Sequence, residues 1–188
     1  MTGLPPTHRL PSTARLVREG PVLDIGAAGA ALRDLLDVSG YVGLDPVAAP
    51  SGTVMVAGRS EQLPFGDGTF GAVTCISVLQ YVLDIETAVS EMHRVLRPGG
   101  QALIQVPNMA YARNVLTLAT GRFPWSSVKD SWSEGTIRYF TWHDLHPLLL
   151  RTGFAVRLLT CTGRLSGIRS RWPAHLGPDL LIDLERGA

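Results

Sequence analysis

VLDIGAAGA, residues 22–30, and YVGLD, residues 41–45, decide how this chain is read. The first runs from apolar residues into a Gly and Ala turn, a stretch with helical spacing follows, and the second ends an apolar run in an acid. Asp24 and Asp45 stand 21 positions apart. Strand, turn, helix and second strand in that order place a bare backbone turn and a carboxylate at one sheet edge, an arrangement suited to a nucleoside. Gly26 and Gly29 supply the turn. Ala28 and Ala30 stand where glycine would let a ligand approach more closely.

Outward from this pair the β and α pattern continues. Runs rich in Val, Ile and Leu at 21–25, 40–44, 53–56, 72–76, 101–106 and 154–161 lack strict polar alternation, as strands buried on both faces do. Helical spacing falls between them, at 12–19, 30–38 (Leu32, Leu35, Leu36), 86–96 (Val89, Met92, Leu96) and 144–152, with Arg97-Pro98-Gly99-Gly100 stopping the third. This predicts an α/β fold with a Rossmann-like, doubly wound, mostly parallel sheet. A length of 188 residues fits one domain. Its expected parts are an N-terminal extension and short helix (1–20), a core (21–108), a covering insertion holding Tyr111, Phe123, Trp125 and Trp132 (109–141), and a C-terminal helix, strand and tail (142–188). Thr141 and Asp144 form a cap-like pair, although Pro147 lies deep for that helix start.

The composition is ordinary, 45% hydrophobic and 18% charged, and a net charge of +1 gives no footprint for nucleic acid or an acidic membrane. Cys75 and Cys161 each lie in apolar runs and read as buried thiols, with neither a disulfide nor a metal site implied. No signal-peptide core and no apolar run of ~18 residues is present. A cytoplasmic protein with no membrane or nucleic-acid partner is the expectation.

Taken in order, VLDIGAAGA, YVGLDP, SEQLPFGDGTFGAVTCISVLQYVLD, MHRVLRPGG and ALIQVPN resemble the class I S-adenosylmethionine-dependent methyltransferases, from about residue 22 to 154. LATGRFPW and TIRYFTWHDLHPLLLRTGF are further similar to small bacterial methyltransferases of the MetW-like and general small-molecule kinds. The resemblance implies S-adenosylmethionine as cofactor and methyl transfer to an oxygen or nitrogen of a small-molecule acceptor. Asp24 would orient the turn and the cofactor's amino group. Backbone amides of Gly26, Ala28 and Gly29, with a helix start behind them, would approach the methionine end. Asp45 would accept from both ribose hydroxyls, and Pro46 would lie against the adenine; an Asp before Pro also starts turns. Arg59 stands where the family often has an acid for the adenine amino group, which leaves Ser60 and Glu61 as substitutes. Carbonyls of Cys75 and Ile76 would face the methionine portion.

Methyl transfer from a sulfonium is an in-line displacement, so alignment dominates and a general base is optional. Candidates for contact with the acceptor are Gln80, Tyr81, Asn108 and Tyr111, with Arg138 as an anion clamp and His143 or His146 as a base. Ala28, Ala30, Arg59 and Gly71, the last where relatives usually have Asp, favour a second reading, a methyltransferase-like protein that regulates a partner. A nicotinamide-dependent oxidoreductase ranks below both, since no third glycine completes its turn. Relatives end in an antiparallel hairpin. Here only residues 180–184 are strongly apolar after 161, so the hairpin is expected to be incomplete, and the bare sheet edge favours a homodimer.

Overall fold

A computed structural model describes residues 9–47, 54–124, 136–163 and 165–187. In chain order the elements are α1 (Arg9–Ala14), β1 (Val22–Ile25), a 3-10 turn (Arg33–Leu35), β2 (Tyr41–Asp45), β3 (Met55–Ala57), β4 (Phe70–Ile76), a second 3-10 turn (Leu79–Tyr81), α2 (Ile85–Val95), β5 (Leu96–Pro107), α3 (Ala112–Ala119), α4 (Trp142–Arg151), β6 (Phe154–Thr160), α5 (Ser166–Arg169), α6 (Pro173–Leu176) and β7 (Asp179–Arg186). The strands form one seven-stranded sheet in the order β3-β2-β1-β4-β5-β7-β6. β1 to β5 pair in parallel, while β7 runs antiparallel between β5 and β6. This is the Rossmann-like, class I methyltransferase fold.

The apolar runs behave as two-faced strands. Val22 and Ala72 pack with Leu32, Leu36 and Tyr41, whereas their neighbours Leu23 and Val73 join a larger cluster with Val89, Met92 and Leu149. Alternate side chains on β1 and β4 therefore feed opposite faces. α2 covers one of them through Ala88, Val89, Met92 and Val95, spaced at three to four residues. Asp84 caps this helix by accepting from the Thr87 amide at 3.0 Å, and Thr141 caps α4 by accepting from the Asp144 amide at 3.3 Å. Pro147 does lie within α4. The bond that its missing N–H forfeits would have gone to the carbonyl of His143, in the first turn of the helix.

Two expectations are corrected here. The C-terminal hairpin is complete: β7 pairs with β5 from Gln101↔Glu185 to Pro107↔Asp179, which closes the edge that was to favour a homodimer. The helix expected at 30–38 is a single 3-10 turn, Arg33–Leu35. Ala28 and Ala30 have φ of 45° and 56°, so the chain is still turning at residue 30 and too few residues remain to repay helix nucleation. Gly71 has no room for a side chain, since a Cβ there would lie 2.6 Å from the Gly20 carbonyl oxygen. Part of the expected covering insertion, 125–135 with Trp125 and Trp132, lies outside the described residues.

Candidate functional site

The carboxyl ends of β1, β2 and β4 bring together the Gly26 turn, Asp45 and Ser77. Four non-glycine residues among those described have positive φ, and three of them, Ala28, Ala30 and Ser77, are at this edge. Such backbone collects at functional sites, where the surroundings must hold it. The expected relief is direct at the exposed position: Ala28→Gly should raise stability by about 0.5–1 kcal/mol in urea unfolding, whereas Ala30→Gly also deletes a methyl buried with Val22 and Leu32. An unchanged midpoint for Ala28→Gly would show that its φ carries no strain.

The turn is wired differently from the sequence expectation. The amides of Gly26 and Ala27 both donate to the Leu44 carbonyl, at 2.7 and 3.2 Å, extending the β1–β2 ladder. Ala28 donates to Asp45 Oδ2 at 3.0 Å. The Gly26 and Ala28 amides thus already have partners, and no full helix stands behind them. Gly29 keeps open space, with nothing within 4 Å of where its Cβ would be. Val78 closes the turn from above, its Cγ2 lying 2.2 Å from a Cβ placed on Gly26, whose φ is +73°.

Asp24 does not reach the turn. Its carboxylate is buried across three strands, accepting from Tyr41 Oη and Thr74 Oγ1, each at 2.6 Å. Burial raises its pKa above the usual carboxylate range, and the two hydroxyl donors only partly oppose this. Asp45 is half-buried at the end of β2; besides Ala28 it accepts from the Val47 amide at 2.9 Å, the turn-starting bond that an Asp before Pro46 makes. Each oxygen keeps a lone-pair direction for another donor. Ser60 is buried and donates to Glu61 Oε2 at 3.0 Å, and Arg59 lies 3.9 Å from the other oxygen, so Glu61 is held beside this edge. Cys75 is fully buried, and burial pushes its thiol pKa up, away from nucleophilic chemistry. Ile76, next to it, ends β4.

The catalytic candidates scatter in role. Asn108 is a staple: its Nδ2 donates to the carbonyls of Ala174 and Gly177 at 2.9 Å and more weakly to Pro173 at 3.4 Å, while its Oδ1 accepts from the Ala110 amide. That leaves it no donor for an acceptor molecule. Arg138 donates to the Val82 carbonyl at 3.0 Å and to that of Leu83, closing the turn after Tyr81 rather than standing ready as an anion clamp. Gln80 is buried and its backbone carbonyl accepts from Ile137 and Arg138, yet its Oε1 has no hydrogen-bond partner. Tyr81 is exposed, Tyr111 precedes α3, and His143 sits 3.5 Å from Asp144 on the open start of α4. His146 stacks on Trp142 at 4.6 Å. A hollow of about 660 Å³ is lined by Ala110, Trp142, His143, His146, Ala174 and His175.

Sequence reading missed a polar chain along this edge. Arg9 of α1 donates to Ser77 Oγ at 2.7 Å, Ser77 Oγ to Gln105 Oε1 at 2.6 Å, and Gln105 Nε2 to Asp179 at 3.1 Å; Thr162 also binds Asp179. The one available signal was Gln105 itself, a polar residue inside the apolar run 101–106.

Comparison with known proteins agrees with this fold. The family described as a methyltransferase domain matches residues 23–104. A demethylmenaquinone methyltransferase of Mycobacterium tuberculosis is 38% identical over 104 residues, which are 50% of this chain and 44% of that protein. The chain thus spans less than half the length of this curated relative. An S-adenosylmethionine-dependent methyltransferase from Mesorhizobium loti superposes with a TM-score of 0.65 at 18% identity, covering 95% of this chain and 96% of that one. The 1,6-didemethyltoxoflavin-N1-methyltransferase of Burkholderia thailandensis, solved with its substrate and S-adenosylhomocysteine, also gives 0.65 at 18% identity, over 96% of this chain and 77% of that one. Residues 23–104 thus match the model of a methyltransferase domain, and the chain that carries them has the fold of the class I methyltransferases.

Proposed function

We propose that this chain binds S-adenosylmethionine and transfers its methyl group to an oxygen or nitrogen of a small-molecule acceptor. The single observation that carries the reading is Asp45, a carboxylate at the end of β2 whose two oxygens each hold only one backbone amide and retain capacity for ribose hydroxyls. The family of residues 23–104 and a relative named for a small-molecule acceptor support it. In this reading Gly29 leaves the approach open, Ser60 and Glu61 serve the adenine side, and Pro46 borders the ring. Arg9 of α1, held against Ser77 just past the end of β4, supplies a cation for the carboxylate of the methionine portion. When bound, the cofactor supplies the electrophilic methyl; the chain's residues orient it and the acceptor in line, and no residue need take a proton in that step.

Thermal unfolding with S-adenosylhomocysteine tests the proposal. At about 100 times its dissociation constant the ligand should stabilise the native state by about 2.7 kcal/mol. Asp45→Ala should abolish that shift. Arg9→Ala should weaken S-adenosylhomocysteine but leave 5′-methylthioadenosine, which lacks the amino-acid portion, unaffected. A wild-type chain indifferent to S-adenosylhomocysteine would favour the partner-regulating reading, for which the specific observation is the turn: its amides at 26–28 already have partners and its alanines occupy positive φ.

A further inference from the structure

We infer that the face formed by α3, α5 and the α5–α6 junction docks on the surface of an anionic lipid bilayer. The three helices α3, α5 and α6 bury no residue of their own within the protein. Instead α3, α5 and the residues that precede α5 and α6 hold apolar side chains outward: Leu116 is 69% exposed, Ile168 66%, Leu165 64% and Trp172 62%. Leu116, Leu165, Ile168 and Leu176 surround one hollow of about 370 Å³, so the exposed apolar groups form a shared patch rather than scattered singles. An eight-residue helix such as α3 is marginal in water unless its apolar side is covered. Helices that bury nothing in their own protein and carry Leu, Ile and Trp outward suit the boundary of headgroups and acyl chains.

Charge selects the kind of surface. The lining segments, residues 108–124 and 165–178, hold Arg113, Arg122, Arg169 and Arg171 and not one of the chain's 16 acidic residues. Arg113 lines the hollow itself, and the Arg169 guanidinium lies 5.7 Å above the Tyr111 ring at its rim. Among the described residues that line the hollow, Arg113 and Arg169 are the charged ones and neither is acidic, a local basic character that a net charge of +1 conceals. Basic groups near a bilayer interact with anionic headgroups within a Debye length, and apolar groups enter below them. A protein partner would satisfy the same apolar area, but the arginines at the hollow and on its flanking segments, with short helices that bury nothing, favour an anionic lipid surface. No helix among the described residues is long and apolar enough to cross a membrane, so the contact is peripheral. The sequence expectation of no membrane partner rested on net charge and on the lack of a spanning apolar run, neither of which reports a local peripheral face.

Sedimentation of the full chain with vesicles tests the inference without any cofactor. The wild type should sediment with vesicles containing phosphatidylglycerol, much less with phosphatidylcholine alone, and progressively less as salt rises. Leu116→Asp with Ile168→Asp should abolish sedimentation while leaving the thermal midpoint unchanged, because both side chains are exposed. Arg113→Ala should lower the partition coefficient about fivefold, as should Arg122→Ala. A wild type that ignores phosphatidylglycerol vesicles would overturn the inference, as would a double aspartate variant that binds them undiminished. Self-association that the double variant abolishes, with no vesicle binding, would reassign the face to a second copy of the chain.

Discussion

Asp24→Ala should lower unfolding stability by about 2–5 kcal/mol, the largest single effect expected in this chain. The substitution strands two buried hydroxyls, those of Tyr41 and Thr74, whose donors both point at the lost carboxylate. Each orphaned polar group costs about 1–3 kcal/mol. Asp24→Asn behaves oppositely. An amide of the same shape keeps an oxygen for one hydroxyl and offers an N–H to the other, and it removes the cost of burying a charge. Because burial raises the pKa of Asp24 in the native state above its ordinary 3.8, the native state holds its proton to a higher pH than the unfolded chain does. Stability therefore falls as pH rises from that value through the native pKa. Asn at 24 should equal or exceed the wild type at neutral pH, and the difference should vanish in acid. Urea midpoints of the three proteins at several pH values measure this, and an Asn variant as damaged as Ala at neutral pH would contradict it.

Asn108→Ala should cost about 3 kcal/mol, because the carbonyls of Ala174 and Gly177 and the amide of Ala110 lose their buried partner together. Asn108→Asp should be no better, since a carboxylate would face carbonyl oxygens with nothing to donate. The same loss separates two roles for this residue. If Asn108 were a catalytic contact, the Ala variant would keep its melting temperature and lose turnover. The staple requires the reverse: a lower melting temperature, with the S-adenosylhomocysteine shift preserved below it.

The strands of the core could be read from sequence because each buries apolar residues on both faces, and the runs at 72–76 and 101–106 lie within β4 and β5. β7 was harder. Its run DLLIDLER is interrupted by Asp183, which a single sequence presents as a break. In the fold Arg18 lies 3.3 Å from that carboxylate and Gln101 donates to it at 2.9 Å, so residues 165 and 82 positions away make it tolerable inside a sheet. The aspartate pair shows a similar limit. Position and spacing were legible, but the distinction between a carboxylate spent on Tyr41 and Thr74 and one left facing the edge depends on which neighbours the fold delivers. Arg9 and Ser77 had no local pattern to betray them, because their link spans 68 positions.

The position of β7 also bears on how the chain is built during translation. β6 is synthesised before the strand that joins it to the sheet, since residues 179–186 must slide between β5 and β6. Until residues 179–186 have left the ribosome, the nascent sheet ends at a bare β5 on this side and β6 has no strand beside it. The middle of the finished sheet is thus completed late, and anything that delays the arrival of residues 179–186 prolongs the stage at which that edge is open to other chains.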